Sequence, residues 1–125
     1  MSRVLVVDDD PNLRQLIAIR LEKVGHKVLQ ADSGAEALAV VDQRGAPEVL
    51  VLDVSMPGMS GLELLPVIRE RTGLTDLPAI FLSGRVEPKD IEAGRALGAI
   101  YLTKPFSGVA LANAIERSVA VEAGW

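Results

Sequence analysis

The sequence predicts a single α/β domain whose five-stranded parallel sheet is covered by helices on both faces. Short runs that are apolar at every position alternate with longer segments whose apolar residues recur at helical spacing. Strands that are apolar on both faces are typical of a sheet buried between two helical layers. Alternating strands and helices give parallel pairing with right-handed crossovers. For five strands the common order is 2-1-3-4-5.

Five strands are predicted from the apolar runs. One of them, Val28–Leu29, is weak and is expected at an edge of the sheet. The other four are strongly aliphatic, and each ends at or just before a polar residue. They are Val4–Val7, Val49–Leu52, Ala79–Leu82 and Ile100–Leu102.

Capping residues mark the predicted helices. Asp10 before Pro11 opens the first helix, and Gly25 ends it. Its apolar residues at helical spacing, a pattern typical of a face turned to the core, are Leu13, Leu16, Ile17, Leu21 and Val24. The other helices are predicted to begin at Ser33 and Ser60, whose capping-box partners are Glu36 and Glu63, at Pro88, and at Ser107.

Composition and charge argue against several classes of function. The 125 residues contain no cysteine, which excludes disulfides and thiolate chemistry. A formal net charge of −4 argues against a general surface for binding nucleic acid or an anionic membrane. No apolar run approaches the ~20 residues of a membrane-spanning helix, and no signal peptide is visible. We therefore expect a cytoplasmic protein that contacts neither nucleic acid nor membrane directly.

Polar residues follow the four strong strands where each one ends. Asp8 and Asp9 follow the first, Asp53 the third, Ser83 the fourth and Lys104 the fifth. A single residue of this kind is more often a turn former or a helix cap. In the predicted strand order, however, all of these ends meet at one edge of the sheet, where ligands bind in folds of this type. The sequence therefore predicts a polar site there.

Three clustered carboxylates require a cationic partner. Two unit charges ~4 Å apart interact by about 4 kcal/mol at an effective dielectric near 20. The group would repel, take up protons or bind a cation, and Lys104 offsets one charge at most. An all-oxygen site suits Mg²⁺. A divalent ion beside a carboxylate and an ammonium is suited to phosphoryl transfer, with an acyl phosphate as the product.

These motifs resemble the receiver domains of two-component response regulators, the CheY-like superfamily. The matching segments are Val7–Asp10, Asp53–Gly61, Ser83–Gly84 and Lys104–Phe106, and the resemblance covers essentially the whole chain. It implies a flavodoxin-like (βα)₅ fold, with one receiver domain over residues 1–125 and no output domain in this chain. It also implies a signalling domain that catalyses its own phosphorylation and dephosphorylation.

The resemblance implies a role for each polar residue at the predicted edge. Asp53 is the implied phosphoacceptor, and Lys104 is implied to pair with its phosphoryl group. Mg²⁺ is the implied cofactor. Its implied ligands are Asp8, Asp9, Asp53 and the backbone carbonyl of Ser55.

A switch is also implied. Ser83 is the implied switch hydroxyl and Tyr101 its coupled aromatic residue, and the output surface is formed by helix 4, strand 5 and helix 5. The Lys104–Pro105 peptide is expected to be cis. Ser55 and Arg85 occupy positions that the family varies to tune dephosphorylation.

The implied phosphodonor is a sensor histidine kinase or a histidine phosphotransfer protein. The downstream target or output domain stays open, and a homodimer formed on phosphorylation is a further expectation.

Three alternatives compete with this interpretation. A haloacid-dehalogenase-like Mg²⁺-dependent phosphatase also uses an aspartate after its first strand, but it would leave Asp53 without a role. A flavin mononucleotide carrier shares the fold, but its first loop would offer hydroxyls and glycines rather than three acids. An unphosphorylated pseudo-receiver that acts as an interaction module would normally lack one of the acids or the lysine.

Overall fold

The fold predicted from the sequence is confirmed. The computed structural model describes residues 2–84 and 87–122. In these residues five strands alternate with five helices, and the strands form one parallel sheet in the order β2-β1-β3-β4-β5. The strands are β1 (Arg3–Val7), β2 (Lys27–Ala31), β3 (Val49–Asp53), β4 (Ala79–Ser83) and β5 (Ile100–Thr103). The helices are α1 (Pro11–Lys23), α2 (Gly34–Arg44), α3 (Gly61–Thr72), α4 (Pro88–Ala96) and α5 (Gly108–Glu122).

Burial follows the position of each strand in the sheet. Every residue of the central strands β3 and β4 is buried, whereas the edge strands β2 and β5 are largely half-buried. Because successive side chains point to opposite faces, each strand contributes to two separate cores. One core packs against α2 and α3, and the other packs against α1 and α5.

The helix caps place the loops at the carboxyl edge of the sheet. Asp10 accepts hydrogen bonds from the N–H groups of Asn12 (3.0 Å) and Leu13 (3.3 Å), as a helix N-cap does. At α3 the capping box is complete, since Ser60 and Glu63 each accept from the other's N–H. These caps fix where the loops after β1 and β3 end.

Two details of the first two helices differ from the sequence pattern. Glu36 accepts from the N–H of Asp32 (2.9 Å), one residue before the predicted partner Ser33. On α1, Ile17 and Leu21 are buried, but Leu16 and Val24 are 48% and 61% exposed. Val24 is the C-cap residue, so it lies beyond the last turn that the sheet covers.

Candidate functional site

The three predicted acids converge at the carboxyl edge of the sheet. Asp8 follows β1 directly and Asp53 ends β3, and these strands are neighbours, with Val7 opposite Leu52. Asp8, Asp9 and Asp53 each offer one carboxylate oxygen, and these oxygens lie within 4.8 Å of one another. Asp8 and Asp53 are buried, whereas Asp9 is exposed. The strand order therefore produces the predicted cluster.

Lys104 supplies the positive charge of the site. Its Nζ lies 3.4 Å from Asp53 Oδ1 and 3.6 Å from Asp8 Oδ2. Its backbone N–H donates to the carbonyl of Ser83 (2.7 Å), which continues the pairing of β4 with β5 past the strand ends. The predicted cis peptide between Lys104 and Pro105 is present. The ammonium therefore faces two carboxylates of the cluster.

Burial and charge shift the ionisation of the Asp53 carboxyl. The pKa of Asp53 is raised from its ordinary value of 3.8 to about 6, chiefly by burial and then by the negative charge of Asp8. Lys104 and the N–H of Ser55, which donates to Asp53 Oδ1 (3.3 Å), act in the opposite direction on this pKa. Near neutral pH the carboxyl is therefore still largely ionised and can act as a nucleophile.

Asp8 shows that the cluster fits a divalent cation. Its Oδ1 accepts from the N–H of Asp10 (2.9 Å). Its Oδ2 is buried and accepts no hydrogen bond from the part of the chain that the structure describes, and Lys104 Nζ, 3.6 Å away, is near enough for an ion pair but not for a hydrogen bond. Buried carboxylate oxygens are rarely left without a partner, because their desolvation is costly. An oxygen in this state, beside those of Asp9 and Asp53, suits a hard cation such as Mg²⁺.

Gly61 allows α3 to approach the end of β3. A Cβ built on Gly61 would lie 2.4 Å from the carbonyl oxygen of Asp53 and 3.3 Å from the Cβ of Leu52. The Gly61 N–H donates to the carbonyl of Val54 (3.2 Å). Gly61 is part of the motif that follows β3, but the sequence does not reveal this close contact, because it depends on how α3 packs.

Gly61→Ala is expected to lower the free energy of unfolding by about 1–3 kcal/mol, the usual cost of overpacking a buried site. The added methyl group would press on the backbone of Asp53. Urea denaturation measures the effect. Gly108→Ala is the matched control, because Gly108 also begins a helix but its Cβ would meet only the flexible side chain of Arg20. Equal losses in the two variants would contradict the argument.

The predicted switch residues lie on β4 and β5. Ser83 ends β4, is almost fully buried and pairs with Thr103. Tyr101 is half-buried and pairs with Phe81, with their ring centroids 6.4 Å apart. Gly94 of α4 packs on both rings, since a Cβ there would lie 3.2 Å from each. Helix α4 therefore rests on the strand that carries Tyr101.

A cleft opens beside the acids between the loop after β3 and the first turn of α4. Its volume is about 650 Å³, and its walls include Ser55, Met56, Ser83 and Lys89. It gives a small molecule room to approach the end of β3. Arg85, whose position the family varies to tune dephosphorylation, lies outside the described residues.

Comparison with known proteins decides the family. The sequence model of the response regulator receiver domain family matches residues 4–116 of this chain. The chain belongs to this family. Receiver domains work in two-component signalling, and this match does not favour the phosphatase alternative or the flavin-carrier alternative.

Curated and solved relatives of this receiver domain agree with the match. The transcriptional regulatory protein TrcR of Mycobacterium tuberculosis is 44% identical over 84% of this chain and 40% of its own length. Protein PilH of Pseudomonas aeruginosa is 32% identical over 96% of this chain and 99% of its own length. The structure of the chemotaxis protein CheY4 of Vibrio cholerae covers 94% of this chain and 98% of its own, with a TM-score of 0.86 and 33% identity.

This chain covers a different fraction of the length of each relative. The chain spans less than half the length of the transcriptional regulators that it matches, 40% of one and 45% of another. It spans nearly all of PilH. Within the described ranges, no helix is both long enough and apolar enough to cross a bilayer.

Proposed function

We propose that this receiver domain stores a signal as a phosphoryl group on Asp53. The observation that supports this most directly is the position of the Asp53 carboxylate. Its Oδ1 lies 3.4 Å from Lys104 Nζ, at the strand end where a buried oxygen of Asp8 has no hydrogen-bond partner in the described residues. A nucleophile, a cation and a candidate metal ligand thus lie side by side.

Mg²⁺ is the proposed cofactor, held by Asp8, Asp9, Asp53 and the backbone carbonyl of Ser55. One carboxylate oxygen from each of the three acids lies within 4.8 Å of the others. Asp8 Oδ2 accepts no hydrogen bond from the described residues, so no such bond has to break when a cation binds there. When bound, the ion supplies positive charge to the oxygens of the transferred phosphoryl group.

The proposed reaction forms one bond and breaks one. A carboxylate oxygen of Asp53 attacks the phosphorus of a phosphohistidine, and the P–N bond breaks with its electron pair going to the imidazole nitrogen, which takes up a proton from solvent. The product is an acyl phosphate whose oxygens face the ammonium of Lys104. In a separate hydrolysis step, water attacks the phosphorus, the P–O bond to Asp53 breaks, and the products are the free Asp53 carboxylate and inorganic phosphate, so that the domain limits its own signal.

The proposed output depends on Ser83 and Tyr101. A phosphoryl oxygen on Asp53 would attract the Ser83 hydroxyl, and Tyr101 would turn inward as Ser83 moves. Because Gly94 of α4 packs on the Tyr101 ring, a move of that ring changes the surface of α4, β5 and α5. Phosphorylation therefore shifts the population of that surface.

The proposed partners follow from the family. Receiver domains interact with histidine kinases and with output domains, and we propose a histidine kinase or a histidine phosphotransfer protein as the donor for this chain. The specific partners, the downstream target or output domain, dimerisation on phosphorylation and the cytoplasmic location stay predictions.

Incubation with acetyl phosphate and Mg²⁺ tests the proposal. Intact-mass spectrometry is expected to show the mass of one added phosphoryl group. No added mass is expected when excess chelator is present from the start of the incubation. Hydroxylamine is expected to release it, because acyl phosphates react with this nucleophile whereas phosphate esters of serine and threonine do not. A label that survives hydroxylamine, or one that forms without divalent metal, would contradict the proposed chemistry.

A further inference from the structure

Arg14 reaches back from α1 to the backbone that joins two of the acids. It is the fourth residue of the helix, and helical side chains lean toward the N-terminus of their helix. Its Nη1 donates to the carbonyl oxygen of Asp8 (2.8 Å), and its Nε donates to Oε1 of Gln30 on β2 (3.2 Å). Arg14 is half-buried, so these bonds are partly shielded from water.

The carbonyl that Arg14 binds belongs to the peptide between Asp8 and Asp9. The orientation of this peptide determines the directions in which both side chains leave the backbone. On its other side the segment is held by the Asp8 N–H, which donates to the carbonyl of Ala31 on β2 (3.1 Å). Gln30 is itself held, because its Nε2 donates to Oε1 of Gln15 (3.2 Å). The end of β1 is therefore fixed from two directions.

Arg14 differs from Lys104 in what it binds. Lys104 lies within ion-pair distance of carboxylate oxygens, Asp8 Oδ2 and Asp53 Oδ1. The hydrogen bonds of Arg14 go to a backbone carbonyl and an amide oxygen. The guanidinium thus orders the acidic segment while leaving the carboxylate oxygens of Asp8 and Asp9 available to a cation.

We infer that Arg14 is a positioning residue that orients the Asp8–Asp9 peptide so that both carboxylates converge on a divalent cation. This inference rests on the proposed Mg²⁺ site. It assigns no chemistry to Arg14, which acts only through the backbone of the two acids.

Two variants separate positioning from charge. Removing a nearby positive charge without disturbing the acids would strengthen cation binding, because one repulsion is lost. Losing the bond that orients the Asp8–Asp9 peptide would weaken cation binding. Arg14→Gln removes the charge and the two-pronged contact, whereas Arg14→Lys keeps the charge but loses the planar fork that spans Asp8 and Gln30. The inference predicts weaker binding in both variants.

Titration with MgCl₂ by isothermal calorimetry, without a phosphodonor, tests the inference. Both variants are expected to raise the Kd for Mg²⁺ by roughly tenfold, the usual effect of losing a residue that orients metal ligands. Lys23→Gln is the control, because it removes one exposed charge from the same helix and is expected to leave the Kd unchanged.

Two outcomes would overturn the inference, and a third would refute the metal site on which it rests. Tighter binding by Arg14→Gln with an unchanged Kd for Arg14→Lys would show a charge effect and overturn the inference. A lower melting temperature with an unchanged Kd in both variants would show a structural role only, and would also overturn it. A lack of Mg²⁺ binding by the unmodified protein would refute the proposed metal site itself. This failure is distinguishable from a failure of the inference about Arg14, because it is seen without any substitution.

Discussion

Asp53→Asn is expected to abolish the incorporation of a phosphoryl group from acetyl phosphate. The amide has the same shape as the carboxylate but lacks a nucleophilic anionic oxygen, so the acyl phosphate cannot form. The buried position of Asp53 at the end of β3 accommodates an amide, and the Ser55 N–H still has an oxygen to which it can donate. Intact-mass spectrometry after incubation with Mg²⁺ and the phosphodonor gives the result directly.

Asp10→Asn is the matched control for this experiment. It makes the same chemical change two residues from Asp8, at a residue whose side chain caps α1. Asparagine is also a favoured N-cap residue, so the helix is expected to persist and labelling to continue. Undiminished labelling of Asp53→Asn would mean that another residue accepts the phosphoryl group, and it would refute the proposed function. No labelling of the unmodified protein would favour the pseudo-receiver alternative.

The predicted position of the site rested on strand ends. Parallel strands that are neighbours in one sheet must end at the same edge, so the strand order alone predicts that Asp8, Asp53 and Ser83 lie together. The aliphatic runs that precede them are unambiguous because they lie in the most deeply buried strands. Local sequence and topology were therefore sufficient for this part.

What the sequence did not reveal depends on contacts between distant residues. The edge strand β2 runs over Lys27–Ala31, longer than Val28–Leu29, because pairing with β1 holds its polar residues in the sheet. No pattern in the sequence distinguishes Arg14, and its bond to Asp8 exists only once α1 is docked. The clearance at Gly61 likewise depends on the distance between α3 and β3. No local pattern encodes these distances.

The second large effect concerns stability and pH. In the metal-free protein the pKa of Asp53 is raised from 3.8 to about 6, first by burial and then by the charge of Asp8. Between these two values the folded protein keeps a proton that the unfolded chain has lost. The free energy of unfolding therefore falls as pH rises through this window and levels off above it. At 1.36 kcal/mol per pKa unit, the loss is about 3 kcal/mol.

Asp53→Asn is expected to remove this loss. Near pH 7.5 without Mg²⁺, the variant should be more stable than the unmodified protein by about 2–3 kcal/mol, whereas below about pH 4 the two should agree. Urea denaturation across this pH range measures both curves, and their difference isolates Asp53 from the other titrating groups. Asp10→Asn is the control, since its exposed carboxyl lies at the helix cap and its loss is expected to leave the slope in place.

Mg²⁺ is expected to oppose this difference in stability near neutral pH. A cation that binds the folded state stabilises it by mass action, and it needs the same ionised carboxylates whose repulsion destabilises the metal-free protein. Saturating Mg²⁺ is therefore expected to raise the free energy of unfolding of the unmodified protein more than that of Asp53→Asn. A variant that is no more stable than the unmodified protein without metal would contradict the raised pKa of Asp53 that burial and the charge of Asp8 produce. Equal stabilisation of both proteins by Mg²⁺ would place the ion away from Asp53.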